Sequence, residues 1–66
     1  MQCLVNDEPR DLPDSATVAD LLASLQLPGT RCAVEGNKTL VRRADHPTHR
    51  LADGDQIEVV TLVGGG

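Results

Sequence analysis

Sixty-six residues make room for one small domain, because a chain of this size buries only about 60% of the surface its unfolded form exposes. Ten acidic against six basic side chains leave a net charge of -4, a field that repels phosphate backbones and anionic membranes and disfavours nucleic-acid binding. Aromatic residues are absent, which removes the stacking platforms of single-strand binders and of many ligand pockets, so partner proteins are the expected contacts.

In chain order, Gln2 to Asn6 alternates, with Cys3 and Val5 on one face and Leu4 on the other, the period of a strand. Asn6-Asp7 tolerates left-handed backbone and predicts a hairpin turn into a short run ending near Leu12, which Pro9 marks as an edge. Val18, Leu21, Leu22 and Leu25 recur at i, i+3, i+4 and i+7 and predict a helix. Thr17 is its expected N-cap, Asp20 completes a capping-box pattern, and Pro28-Gly29 is the expected stop.

Arg31 to Glu35 and Lys38 to Arg42 read as a second hairpin turning at Gly36-Asn37. Ala44 to Arg50 has no periodicity and contains Pro47, so an irregular surface crossover is expected, followed by a turn at Asp53-Gly54-Asp55. Ile57 to Val63 is a β-branched apolar run that suits a central strand. Strand, strand, helix, strand, strand, strand predicts an α+β domain: a mixed five-stranded sheet with one helix packed on one face, the ubiquitin-like β-grasp.

One helix covers one face only, so Leu4, Val60 and Leu62, pointing the other way from Cys3, Val5, Ile57 and Val59, are the expected partner-binding surface. Gly64, Gly65 and Gly66 have no side chains to contribute to a core. The expected division is a folded domain over residues 1–63 and a flexible glycine tail over 64–66. Such a tail suits insertion into another protein's active site, and its chemistry is that of the Gly66 carboxylate, a poor acyl donor until its oxygen becomes a better leaving group.

Val5-Asn6-x-Glu8, Thr17-Val18-x-x-Leu21-Leu22-x-x-Leu25, Val34-Glu35-x-Asn37, Leu51-x-x-Gly54-Asp55-x-Ile57-Glu58-Val59-Val60 and the closing Val63-Gly64-Gly65-Gly66 together resemble the ThiS family of thiamine-pathway sulfur carriers over essentially the whole chain. Two positions depart from the family's habit: Asp7 where a glycine is common, and Arg42 where a proline is frequent before Arg43. The resemblance implies a carrier that does no catalysis itself. Its Gly66 carboxylate would be adenylated by a ubiquitin-activating-like adenylyltransferase using ATP, converted to a thiocarboxylate with sulfur from a donor such as a cysteine desulfurase, and used by thiazole synthase. Related carriers for molybdopterin or cysteine synthesis, and a protein modifier joined to lysines through Gly66, share this opening chemistry.

The remaining chemistry-bearing residues carry weaker signals. His46-x-x-His49 in an irregular loop reads as solvated surface rather than a metal site, and Cys3 and Cys32, each inside an apolar run, read as reduced structural thiols. Arg42-Arg43 and the acidic Asp53, Asp55 and Glu58 could steer charged partners but are more often solvated. With no bound cofactor, no apolar run approaching the ~20 residues of a membrane span and no basic leader before Met1, the expectation is a cytoplasmic protein, monomeric when free.

Overall fold

The computed structural model describes residues 1–62. Gln2–Val5 (β1) turns through Asn6 and Asp7, both at positive φ of 51° and 68°, into Glu8–Asp11 (β2). Two consecutive left-handed residues match the right-handed twist of the strands on either side. All four β2 residues are exposed, and β2 is an edge of the sheet, where the missing N–H of Pro9 costs no ladder bond.

Val18–Ser24 (α1) starts as the spacing predicts: Asp20 N–H donates to Thr17 Oγ1 at 3.2 Å while Thr17 N–H donates to Asp20 Oδ2 at 2.9 Å. Its end is earlier than the expected Pro28-Gly29. Leu25 caps the helix and Gln26 adopts φ +58°, with Gln26 N–H on Ala23 O at 3.0 Å and Leu27 N–H on Leu22 O at 2.9 Å. Those two bonds close a Schellman motif whose left-handed residue is a glutamine rather than the usual glycine.

Cys32–Gly36 (β3) and Thr39–Val41 (β4) form the second hairpin, but its turn lies one residue later than expected, at Asn37 and Lys38 with φ 51° and 70°. Gly36 stays in the strand, paired with Thr39 and Ile57, and Arg31 belongs to a short 3-10 turn over Gly29–Arg31. The crossover contains a second 3-10 turn at Arg43–Asp45, then lies against the helix start, where Val18 N–H donates to His49 O at 3.0 Å and Leu51 N–H to Ala16 O at 2.9 Å.

Gln56–Thr61 (β5) completes a five-stranded sheet in the order β2-β1-β5-β3-β4, with β5 parallel to β1 and antiparallel to β3. This is the mixed sheet with one helix that the element order predicts. Val18, Leu21 and Leu22 bury their side chains with Cys3, Val5, Val34, Ile57 and Val59, and each fully buried aliphatic side chain stabilises by roughly 1.5–3 kcal/mol. Val63, the last residue expected in the strand, and the expected tail Gly64, Gly65 and Gly66 lie outside the described residues.

Candidate functional site

The alternation of β5 sorts its side chains. Ile57 and Val59 are buried beneath the helix, whereas Gln56, Glu58 and Val60 are exposed on the opposite face, where no helix packs. Val60 is 57% exposed and pairs with Ala33 of β3. Leu62, 55% exposed, carries the pairing one step further, its N–H donating to Arg31 O at 2.7 Å.

Leu4 does not join them. It is half-buried and pairs with Pro9 and Gln56, so it sits four residues back along β5 from Val60, about 13 Å at the rise of a strand. The neighbour that sequence reasoning missed is Leu40 on β4, 61% exposed and opposite Glu35. Its signal was legible: in Thr39-Leu40-Val41 the middle residue points away from the face that Val41 buries. The apolar area is therefore Val60, Leu62, Ala33 and Leu40, with Glu35 and Glu58 set among them.

The other candidates resolve into structure. Asp53 and Asp55 hold backbone: Gln2 N–H donates to Asp53 Oδ1 at 2.7 Å and Ala52 N–H to Asp55 Oδ2 at 2.8 Å, while Asn37 Nδ2 donates to Asp55 Oδ1 at 3.0 Å. Cys3 and Cys32 are buried free thiols, 1% and 7% exposed. Burial pushes the Cys3 thiol up, reinforced by the nearby Asp55 carboxylate, which keeps it protonated and unreactive.

His46 is not the solvated residue its loop suggests: it is 4% exposed, and its Nε2 lies 3.2 Å from Val41 O, so Nε2 carries the proton and donates. Its ring lines a cleft of about 350 Å³ between α1 and the crossover, rimmed by Arg43 and floored by Leu22 and Leu27. A second cleft of about 330 Å³ lies between the first hairpin and the segment after α1, with Val5, Arg10, Leu25 and Thr61 on its walls. His49, Arg42 and Arg43 are exposed. Among the described residues no cluster of three or more His, Cys, Asp or Glu side chains is placed to hold a metal ion, and no helix is long and apolar enough to cross a membrane.

The sequence model of the ThiS family matches residues 3–66. A sulfur carrier protein ThiS of Bacillus subtilis is 43% identical over 53 residues, 80% of each chain. A thiazole synthase of Paramagnetospirillum magneticum is 35% identical over all 66 residues, which amount to 20% of that longer protein, so the chain spans about a fifth of this relative. The crystal structure of the thiamine biosynthesis protein ThiS from Geobacter metallireducens superposes with a TM-score of 0.84 at 29% identity, covering 100% of both chains.

Proposed function

The chain belongs to the ThiS family, and on that premise we propose that it is a sulfur carrier of thiamine biosynthesis whose working group is the Gly66 carboxylate. The observation that carries the reading is the reach of the family match, which runs through Gly64, Gly65 and Gly66. A carboxylate oxygen of Gly66 attacks the α-phosphorus of ATP on an activating adenylyltransferase, and pyrophosphate leaves. A persulfide sulfur then displaces AMP to give an acyl disulfide, and a second thiol attacks the donor's sulfur, forming a disulfide with it and releasing the thiocarboxylate.

Both sulfur nucleophiles come from outside the chain in this scheme. Cys3 and Cys32 are buried, and the raised Cys3 thiol is a poor nucleophile. A separate sulfur donor, such as a cysteine desulfurase, fills the role. Thiazole synthase receives the sulfur, a partnership supported by the relative in which a segment like this chain is part of a thiazole synthase. The exposed face of Val60, Leu62 and Leu40 is the docking surface, and Leu4 is at most its margin.

The test is the intact mass of the untagged protein after incubation with its activating enzyme, ATP and a sulfur donor, followed by fragmentation. Replacement of oxygen by sulfur confined to the Gly66 end is the expected result. Fragmentation is essential, because oxidation of Met1, Cys3 or Cys32 adds almost the same mass. A plain Gly66 carboxylate with a demonstrably active enzyme overturns the reading, and lysine adducts through Gly66 replace it with a modifier role.

A further inference from the structure

Glu35 and Glu58 lie directly opposite each other in the antiparallel pairing of β3 with β5, both exposed on the helix-free face. Side chains so placed have Cβ atoms about 5 Å apart, and like charges there destabilise the sheet. Among the described residues neither carboxylate has a cation within 4.0 Å. Nor is this a general acidic surface, because Leu40 flanks Glu35 on one side and the Val60–Ala33 pair forms the next row.

The domain therefore carries two features in one place, an apolar area more than half exposed at Leu40, Val60 and Leu62 and, within it, a facing pair of carboxylates that no cation contacts among the described residues. A single event relieves both: contact with an apolar surface that has a cation at its centre. A guanidinium fork spans two carboxylates that a point charge would serve less well, and exclusion of water by the surrounding apolar contacts strengthens the pairing.

We propose that the Glu35–Glu58 pair is the polar centre of the docking surface and receives an arginine side chain of thiazole synthase. This rests on the carrier reading above, and the synthase is favoured over other partners because a relative holds the two units in one polypeptide. Charge here sets orientation: the apolar residues supply contact area, and the carboxylates fix where on it the basic group lands.

The experiment compares the wild-type carrier with the double variant Glu35→Gln, Glu58→Gln by thermal melting of the free proteins and by calorimetric titration with purified thiazole synthase at two salt concentrations. Removing the repulsion is expected to raise the melting temperature by about 2 °C. Affinity for the synthase is expected to fall at least roughly tenfold, with a weaker dependence on salt. Undiminished binding by the variant overturns the inference while sulfur loading at Gly66 still stands as the test of the carrier reading. A lowered melting temperature overturns the repulsion on which it rests, and a wild type that neither binds the synthase nor takes up sulfur overturns both.

Discussion

The side-chain amide of Asn6 makes both hydrogen bonds that a strand neighbour would make to Val59: Nδ2 donates to Val59 O at 3.2 Å and Val59 N–H donates to Oδ1 at 2.9 Å. The backbone of β1 has by then turned away, and the amide supplies the next rung of the parallel β1–β5 ladder. Asn37 does something related at the other hairpin, its backbone N–H donating to Gln56 O at 2.7 Å and its side-chain Oδ1 accepting from Gln56 N–H at 3.0 Å. Both asparagines also occupy left-handed backbone, so one residue type serves turn and ladder together.

Replacing Asn6 by Ala is expected to cost about 2–3 kcal/mol, from two lost bonds to a part-buried backbone and from alanine's lower tolerance of left-handed backbone than asparagine's. Asn6→Gly restores the backbone freedom but not the amide, so it should recover only about 1 kcal/mol of that loss in urea denaturation. Equal stability of the Ala variant and wild type would show that the amide contributes nothing.

Positive φ at Gln26 and Gly54 predicts opposite signs. Gln26→Gly should stabilise by about 0.5–1 kcal/mol, because the Schellman motif favours glycine at this residue. Gly54→Ala should destabilise by roughly 1 kcal/mol through φ +85° alone, since an added Cβ meets nothing within 4 Å. Denaturant midpoints at unchanged slope are the readout.

The Met1 amino group donates to Leu12 O at 2.8 Å and to Asp14 Oδ1 at 3.1 Å. The hydrogen bond to Asp14 holds its pKa above the ordinary 8.0, with burial opposing. A raised folded-state value means stability that is fully present below pH 8.0 and lost as pH rises through the folded value. Asp14→Asn should flatten that alkaline decline, measured on protein with a free Met1 amine; an unchanged profile would assign the decline to other groups.

Val60→Asp and Leu40→Asp alter exposed side chains on the helix-free face, but each adds a carboxylate beside Glu58 or opposite Glu35 and loses strand propensity, so each should destabilise by about 1 kcal/mol and still leave the domain folded. Each should nevertheless slow sulfur delivery to thiazole synthase at least roughly tenfold by placing an unpaired charge in the contact. Delivery at the wild-type rate by both variants would remove this face from the docking surface.

Local signals explain what the sequence made legible. The two-residue period of β1, the capping box at Thr17 and Asp20 and the turn glycine at Gly54 depend on near neighbours, and each stands where its pattern predicts, while the apolar run from Ile57 forms a strand that begins one residue earlier, at Gln56. The second hairpin was misplaced by one residue because Gly36 and Asn37 are both turn formers. Tertiary pairing decides between them: Gly36 is held in the ladder by its pairing with Thr39 and Ile57, and since an added Cβ would make only ordinary contacts at 3.7–3.8 Å, register rather than lack of space sets the turn. Nothing in Gln26 advertises left-handed backbone, and the burial of His46 depends on the packing of an aperiodic loop against α1, so neither was readable in advance. Of the exposed apolar face, Val60 and Leu62 followed from alternation, whereas separating Leu4 from them required the strand register.

The sheet order gives the domain a direction in time. β1 with β2, and β3 with β4, are hairpins that can close locally, but among the described residues only β5 joins them, and β5 is the last of their five strands. A nascent chain that has emerged only as far as Gly54 holds two separate hairpins and a short helix, elements that are marginal on their own in water. The sheet therefore closes only when Gln56 to Thr61 is available to both hairpins at once, so its assembly is one long-range step rather than a strand-by-strand accretion.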